Sequence, residues 1–140
     1  MGAPDILYIE DNEDFIDVVE RAMVQIDGGK TTMRIIEDGS LALSTLNTLV
    51  ENRVKPRLIL IDLNLPGLSG LDVLRKIKET PALRYVPAVI FSTSDNPKDV
   101  RTSLESGANA YVTKPLGYAN LVKCLSTMHE FWLKTTLLPS

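Results

Sequence analysis

Five short apolar runs punctuate the chain, at 5–10 (DILYIE), 31–36 (TTMRII), 57–62 (RLILID), 87–92 (PAVIFS) and 109–113 (NAYVT). RLILID and PAVIFS are apolar at nearly every position, the pattern of strands covered on both faces, as in a parallel sheet. Between the runs the period lengthens. Across 12–27 the apolar residues Phe15, Val18, Val19, Ala22, Met23 and Ile26 recur at steps of three and four, and Gly28-Gly29 breaks the pattern. Segments of similar spacing cover 39–53, ending near Lys55-Pro56, then 69–79, 97–106 with Gly107 as the stop, and 117–134. Strand and helix therefore alternate throughout. Right-handed crossovers between successive strands give an α/β fold: a doubly wound (βα)5 arrangement with a five-stranded parallel sheet and helices on both faces.

Sheets of this kind put their ligand sites at the carboxyl ends of the strands. The first run ends in Glu10-Asp11, the third in Asp62 followed by LNLPGLSG, the fourth in Ser92-Thr93, and the fifth leads into Lys114-Pro115. All four ends share one edge. Carboxylates gathered within about 5 Å repel at roughly 3 kcal/mol per pair at an effective dielectric near 20, so a cation belongs among them. A hard divalent ion that prefers oxygen ligands and keeps several waters fits best, which means Mg²⁺ or Mn²⁺. With the Ser92 hydroxyl and the Lys114 ammonium alongside, the set suits phosphoryl transfer, where positioning and charge neutralisation do most of the catalysis. Glu13 and Asp14, just beyond the acid pair, read instead as a solvated first helical turn, where acids interact favourably with the helix dipole.

Composition narrows the function classes. The 140 residues, 44% hydrophobic and 24% charged, suit one globular domain, and no linker or internal repeat divides them. The formal charge of -3 and the scattered Lys and Arg residues argue against a nucleic-acid partner. No apolar run reaches the roughly 18 residues of a membrane span, and no signal-like start precedes the first strand. With Cys124 as the single cysteine, a cytoplasmic protein without disulfides is expected. Cys124 itself reads as a small buried hydrophobe, and His129, the one histidine, as a surface or interface residue.

Taken as a set, Glu10-Asp11, Asp62, Pro66, Gly70, Ser92 and Lys114-Pro115 resemble the receiver domain of two-component response regulators, of the chemotaxis-type single-domain kind and so of flavodoxin-like architecture. The resemblance covers about 5–128. It implies that Asp62 is the phosphoacceptor, taking its phosphoryl group from a histidine kinase. It also implies that Asp11, Asp62 and the Asn64 backbone carbonyl hold the metal, with Glu10 acting through a metal-bound water. Lys114 would pair with Asp62 and then with a phosphoryl oxygen, and Ser92 would donate to another. Ser92 and Tyr111 would form the switch, and Asn64 and Ser94 would tune dephosphorylation. Glu at 10 and Ser at 92 stand where Asp and Thr are commoner in the family, and both keep the needed oxygen. On this view the protein is no enzyme beyond its own phosphorylation and dephosphorylation.

Residues 1–140 then form a single receiver domain, with 129–140 a C-terminal extension of the last helix and its tail. In that helix Leu121, Leu125, Met128 and Trp132 are spaced as a core face. Phe131, Trp132, Leu133, Leu137 and Leu138 supply apolar surface beyond the needs of the fold, and a homodimer interface through Phe131, Trp132, Leu137 and Leu138 is expected. The FSTS stretch and the EFWL…LPS ending are similar to small response regulators associated with phytochrome kinases, which implies a phytochrome-type photoreceptor kinase as partner. Three other classes compete on the same architecture. One is a pseudo-receiver that serves as a protein-binding scaffold without phosphorylation. Another is a small aspartate-nucleophile phosphatase, disfavoured because the second acid such enzymes want two residues beyond Asp62 is Asn64. A flavin-binding module is disfavoured by the acidic loop after the first strand.

Overall fold

The computed structural model describes residues 2–138. Strands β1 (Ile6–Ile9), β2 (Met33–Ile36), β3 (Leu58–Ile61), β4 (Ala88–Ser92) and β5 (Ala110–Thr113) alternate with helices α1 (Glu13–Asp27), α2 (Gly39–Glu51), α3 (Gly70–Glu79), α4 (Pro97–Glu105) and α5 (Tyr118–Met128). The strands form one parallel sheet in the order β2-β1-β3-β4-β5. Strand order reverses between β1 and β3, so a crevice opens beyond their carboxyl ends. β1, β3 and β4 are buried at every position, which is why their sequences are apolar on both faces.

Alternate side chains feed two cores. Leu7, Ile9, Ile59, Ile61 and Ile90 pack against Leu46, Val73 and Ile77 of α2 and α3 on one face. Ile6, Tyr8, Leu60, Val89 and Phe91 pack against Val19, Met23, Leu121 and Leu125 of α1 and α5 on the other. Cys124 is half-buried at the edge of this second core rather than enclosed in it. The starts of α1 to α4 are fixed locally by capping side chains. The Asn12 side chain accepts from the Phe15 N–H at 3.0 Å, which makes Asn12 the cap of α1 and leaves Glu13 and Asp14 in its exposed first turn.

The chain beyond Met128 departs from a simple extension of α5. His129–Thr135 winds as a π-helix, closed by the Thr136 N–H donating to the Phe131 carbonyl five residues back at 3.0 Å. The wider turn advances the core face by one residue. Leu133, 6% exposed, takes the place after Met128 that regular spacing assigns to Trp132, and Trp132 is left half-buried against the edge. Three polar contacts hold this rotation. The Arg57 guanidinium donates to the Leu133 carbonyl, and His129 Nε2 lies 3.0 Å from Thr31 Oγ1 and 3.2 Å from Asp27 Oδ2. His129 is therefore buried, contrary to its reading as a surface or interface residue, because it fastens the segment to the end of α1. Of the extension 129–140, residues 139 and 140 lie outside the described residues. No described helix is long and apolar enough to cross a membrane.

Candidate functional site

Glu10 and Asp62 each follow the last residue of a strand, β1 and β3, at the point where strand order reverses. Their backbones are pinned to neighbouring strands: the Glu10 N–H donates to the Ile36 carbonyl and the Asp62 N–H to the Ile9 carbonyl, both at 3.0 Å. Gly70 secures Asp62 from the other side. A Cβ there would stand 2.0 Å from the Asp62 carbonyl oxygen, so only glycine lets α3 begin this close to the end of β3.

Carboxylate oxygens of Glu10, Asp11 and Asp62 all lie within 4.8 Å of one another. Glu10 and Asp62 are buried and Asp11 is exposed, so the cluster is rooted in the protein and open on one side to water. The Lys114 ammonium reaches in from the end of β5. It donates to Glu10 Oε1, stands 3.7 Å from Asp62 Oδ1, and lies 4.4 Å from the centre of the Phe15 ring. Lys114 thus pairs more closely with Glu10 than with Asp62. Glu10 is further bound by the Tyr8 hydroxyl, which donates to Oε1 at 3.1 Å, and by the Asn12 N–H, which donates to Oε2 at 3.3 Å.

These surroundings act on the proton equilibria. Burial pushes the Asp62 carboxyl up, and repulsion from Glu10 adds to it; Lys114 opposes both, and the group comes to rest at about 6. Burial, then Glu10, push the Tyr8 phenol far above its ordinary range, so it serves only as a neutral hydrogen-bond donor. With the acids ionised, one ammonium among three carboxylates leaves an excess of two negative charges. An all-oxygen set with one open side fits a hard divalent cation that retains waters.

The β4 end lies alongside. Ser92 is fully buried, and its carbonyl accepts the Lys114 backbone N–H at 2.7 Å. Two residues on, the Ser94 N–H donates to Ser92 Oγ at 3.2 Å, and the Ser94 carbonyl accepts the Tyr111 phenol at 2.7 Å. Tyr111 is half-buried against the α2 and α3 core. Asn64 sits exposed on the loop after β3. The fold thus brings Glu10, Asp11, Asp62 and Lys114 together, with Ser92, Ser94 and Tyr111 in a connected group beside them. Phe131, Trp132, Leu137 and Leu138 lie apart on the C-terminal segment; Phe131 and Leu137 are exposed at 47% and 95%.

Tyr8 and Phe15 contact the site and have no part in the strand-end motifs. Tyr8 is two residues before Glu10, hence on the same face of an extended strand, and Phe15 stands in the first turn of α1, three residues after its cap Asn12. Those spacings carry the signal, but inside an apolar run and a helical core face both residues read first as packing.

Residues 6–126 match the response regulator receiver domain family. The chain is 41% identical over 108 residues to the response regulator Rcp1 of Synechocystis sp., a stretch covering 76% of this chain and 74% of that protein. The Mn²⁺-bound crystal structure of Rcp1 superposes with a TM-score of 0.85, at 35% identity over 99% of this chain and all of that one. The phosphorylated cyanobacterial phytochrome response regulator RcpA superposes with a TM-score of 0.87, at 34% identity over 99% of this chain and all of that one. With a matching sequence pattern over most of its length and an acidic cluster at the switch point of the same fold, the chain belongs to the response regulator receiver family of two-component signalling.

Proposed function

We propose that Asp62 is the phosphoacceptor of this receiver and that a histidine kinase, of the phytochrome type, is the donor. One observation carries the reading: the Asp62 carboxylate sits within 4.8 Å of the Glu10 and Asp11 carboxylates and 3.7 Å from the Lys114 ammonium. An Asp62 oxygen attacks the phosphorus of the phosphohistidine, the P–N bond breaks, and the imidazole leaves with its electron pair. Asp11, Asp62 and the Asn64 backbone carbonyl would hold Mg²⁺ or Mn²⁺, with Glu10 acting through a water, and the ion when bound would offset charge on the phosphoryl oxygens. Lys114 turns from Glu10 and Asp62 toward a phosphoryl oxygen, and the Ser92 hydroxyl donates to another. The phosphoryl group carries about -1.5 to -2 charge in place of the single charge of the carboxylate, and it draws Ser92 and Lys114 inward. Tyr111 follows through the loop after β4. Asn64 and Ser94 set how readily water reaches the acyl phosphate.

Residues 1–140 act as one receiver whose output is protein binding in the cytoplasm, without nucleic acid or membrane, and with no catalysis beyond its own phosphorylation and dephosphorylation. Two copies associate through Phe131, Trp132, Leu137 and Leu138; the exposure of Phe131 and Leu137 supports this. The likeness to Rcp1 and RcpA supports the phytochrome link. Incubation with acetyl phosphate tests the chemistry: intact mass should show a phosphoryl adduct on the wild type in Mg²⁺ and none in EDTA or in Asp62→Asn. An adduct that forms equally in Asp62→Asn contradicts the assignment, and none in wild type, with acetyl phosphate or kinase, favours a binding scaffold.

A further inference from the structure

Helix α4 is fixed by little apolar packing. Its one buried residue is Ser103, and the Ser103 hydroxyl has no hydrogen-bond partner among the described residues. Polar contacts at its amino end therefore carry much of its attachment. Asn96 caps the helix, its Oδ1 accepting from the Lys98 N–H at 2.9 Å. Asp99, three residues on, stands where an acid commonly reaches back to the N–H of the cap residue. Here the Ser94 hydroxyl is inserted between the two. The Asn96 N–H donates to Ser94 Oγ at 3.3 Å, and Ser94 Oγ donates to Asp99 Oδ2 at 2.6 Å. Through its N–H and carbonyl the same Ser94 holds the Ser92 hydroxyl and the Tyr111 phenol.

We propose that Asp99 is a positioning residue for the phosphoacceptor site, acting through Ser94; this rests on the reading of Asp62 and Ser92 given above. Because Ser92 Oγ accepts from the Ser94 N–H, its own proton is left to donate elsewhere, toward the phosphoryl group. That orientation lasts only while the Ser94 backbone stays in place, and the bond to Asp99 is what anchors it to α4. The same bond withholds the Ser94 hydroxyl from the site.

The test is the rate of phosphorylation by acetyl phosphate in saturating Mg²⁺. Asp99→Ala should slow it about fivefold, the rate equivalent of one net hydrogen bond. Asp99→Asn keeps an acceptor oxygen and should recover most of the loss. Ser94→Ala, which approaches the bond from its other partner, should slow the reaction similarly, and adding Asp99→Ala to it should change nothing further. Amide hydrogen exchange on the unphosphorylated proteins gives an independent readout: the Ser94 amide should exchange faster in Asp99→Ala, with the amides of β3 unchanged. A role limited to helix capping predicts lower melting temperatures with wild-type rates, or losses that add in the double variant, and either result overturns the proposal, as does unchanged exchange at Ser94. If wild type itself takes up no phosphoryl group at Asp62, the reading of the site fails and this inference with it. If wild type is phosphorylated and Asp99→Ala keeps pace, the site stands and this inference alone fails.

Discussion

Gly70 and Asp62 show how closely single residues set this site. The 2.0 Å approach between a Cβ at 70 and the Asp62 carbonyl cannot be relieved by a side chain turning away, because the Cβ is fixed by the backbone that carries it and the oxygen is itself backbone. Gly70→Ala should cost roughly 1 to 3 kcal/mol in urea unfolding and move Asp62 enough to reduce adduct formation. Charge sets the second expectation. Asp62→Asn removes a buried carboxylate that Glu10 repels, so in EDTA near neutral pH the variant should be more stable than wild type by roughly 1 to 3 kcal/mol. Mg²⁺ at 100 times its dissociation constant should offset this difference, adding about 2.7 kcal/mol to wild type and little to the variant. Thermal melts with and without Mg²⁺ read both. Glu10, Asp11, Asp62 and Lys114 are legible in the sequence because strand ends are countable and charged residues directly after apolar runs are conspicuous. Tyr8, Phe15 and Asp99 are not, because each contact crosses elements and each residue also satisfies a local pattern.

Among the elements, the five strands and the starts of α1 to α4 lie within two residues of their expected bounds, since period, caps and Gly or Pro stops are local properties. The last helix differs for a nonlocal reason. Arg57 and Thr31 come from distant parts of the chain, and their contacts with Leu133 and His129 fix a π-turn that no spacing within 117–134 reveals. Asp27 completes this fastening. Burial pushes its carboxyl up, but the Thr31 hydroxyl and the N–H groups of Thr31, Gly29 and Lys30 donate to it and hold it below the usual carboxylate range. A depressed folded value means that the stability it adds is present above the unfolded value of about 3.9 and lost as pH falls through the folded one. The gap in urea midpoint between wild type and Asp27→Asn should therefore be widest near neutral pH and narrow progressively below about pH 4. A gap constant across that range would show that the carboxylate contributes through packing alone.

For the whole molecule, the two ends of the sheet have separate tasks. The carboxyl edge gathers the acids, Ser92 and Lys114, while the C-terminal segment, clamped through His129 and Arg57, presents Phe131 and Leu137 to solvent. Dimerisation through that segment predicts that Phe131→Glu and Leu137→Glu each weaken self-association at least about tenfold in sedimentation equilibrium, while uptake of a phosphoryl group from acetyl phosphate persists. The architecture was readable at this scale because alternating β and α segments allow few topologies; assembly was less so, because apolar residues in a tail do not reveal which of them the core absorbs, as Leu133 shows. That Asp62 carries the phosphoryl group is tested most directly by chemical trapping. Borohydride reduction of the phosphorylated protein, followed by peptide mass spectrometry, should yield homoserine at position 62 and nowhere else. Homoserine at another acid, Asp11 included, or an adduct that resists reduction would contradict it.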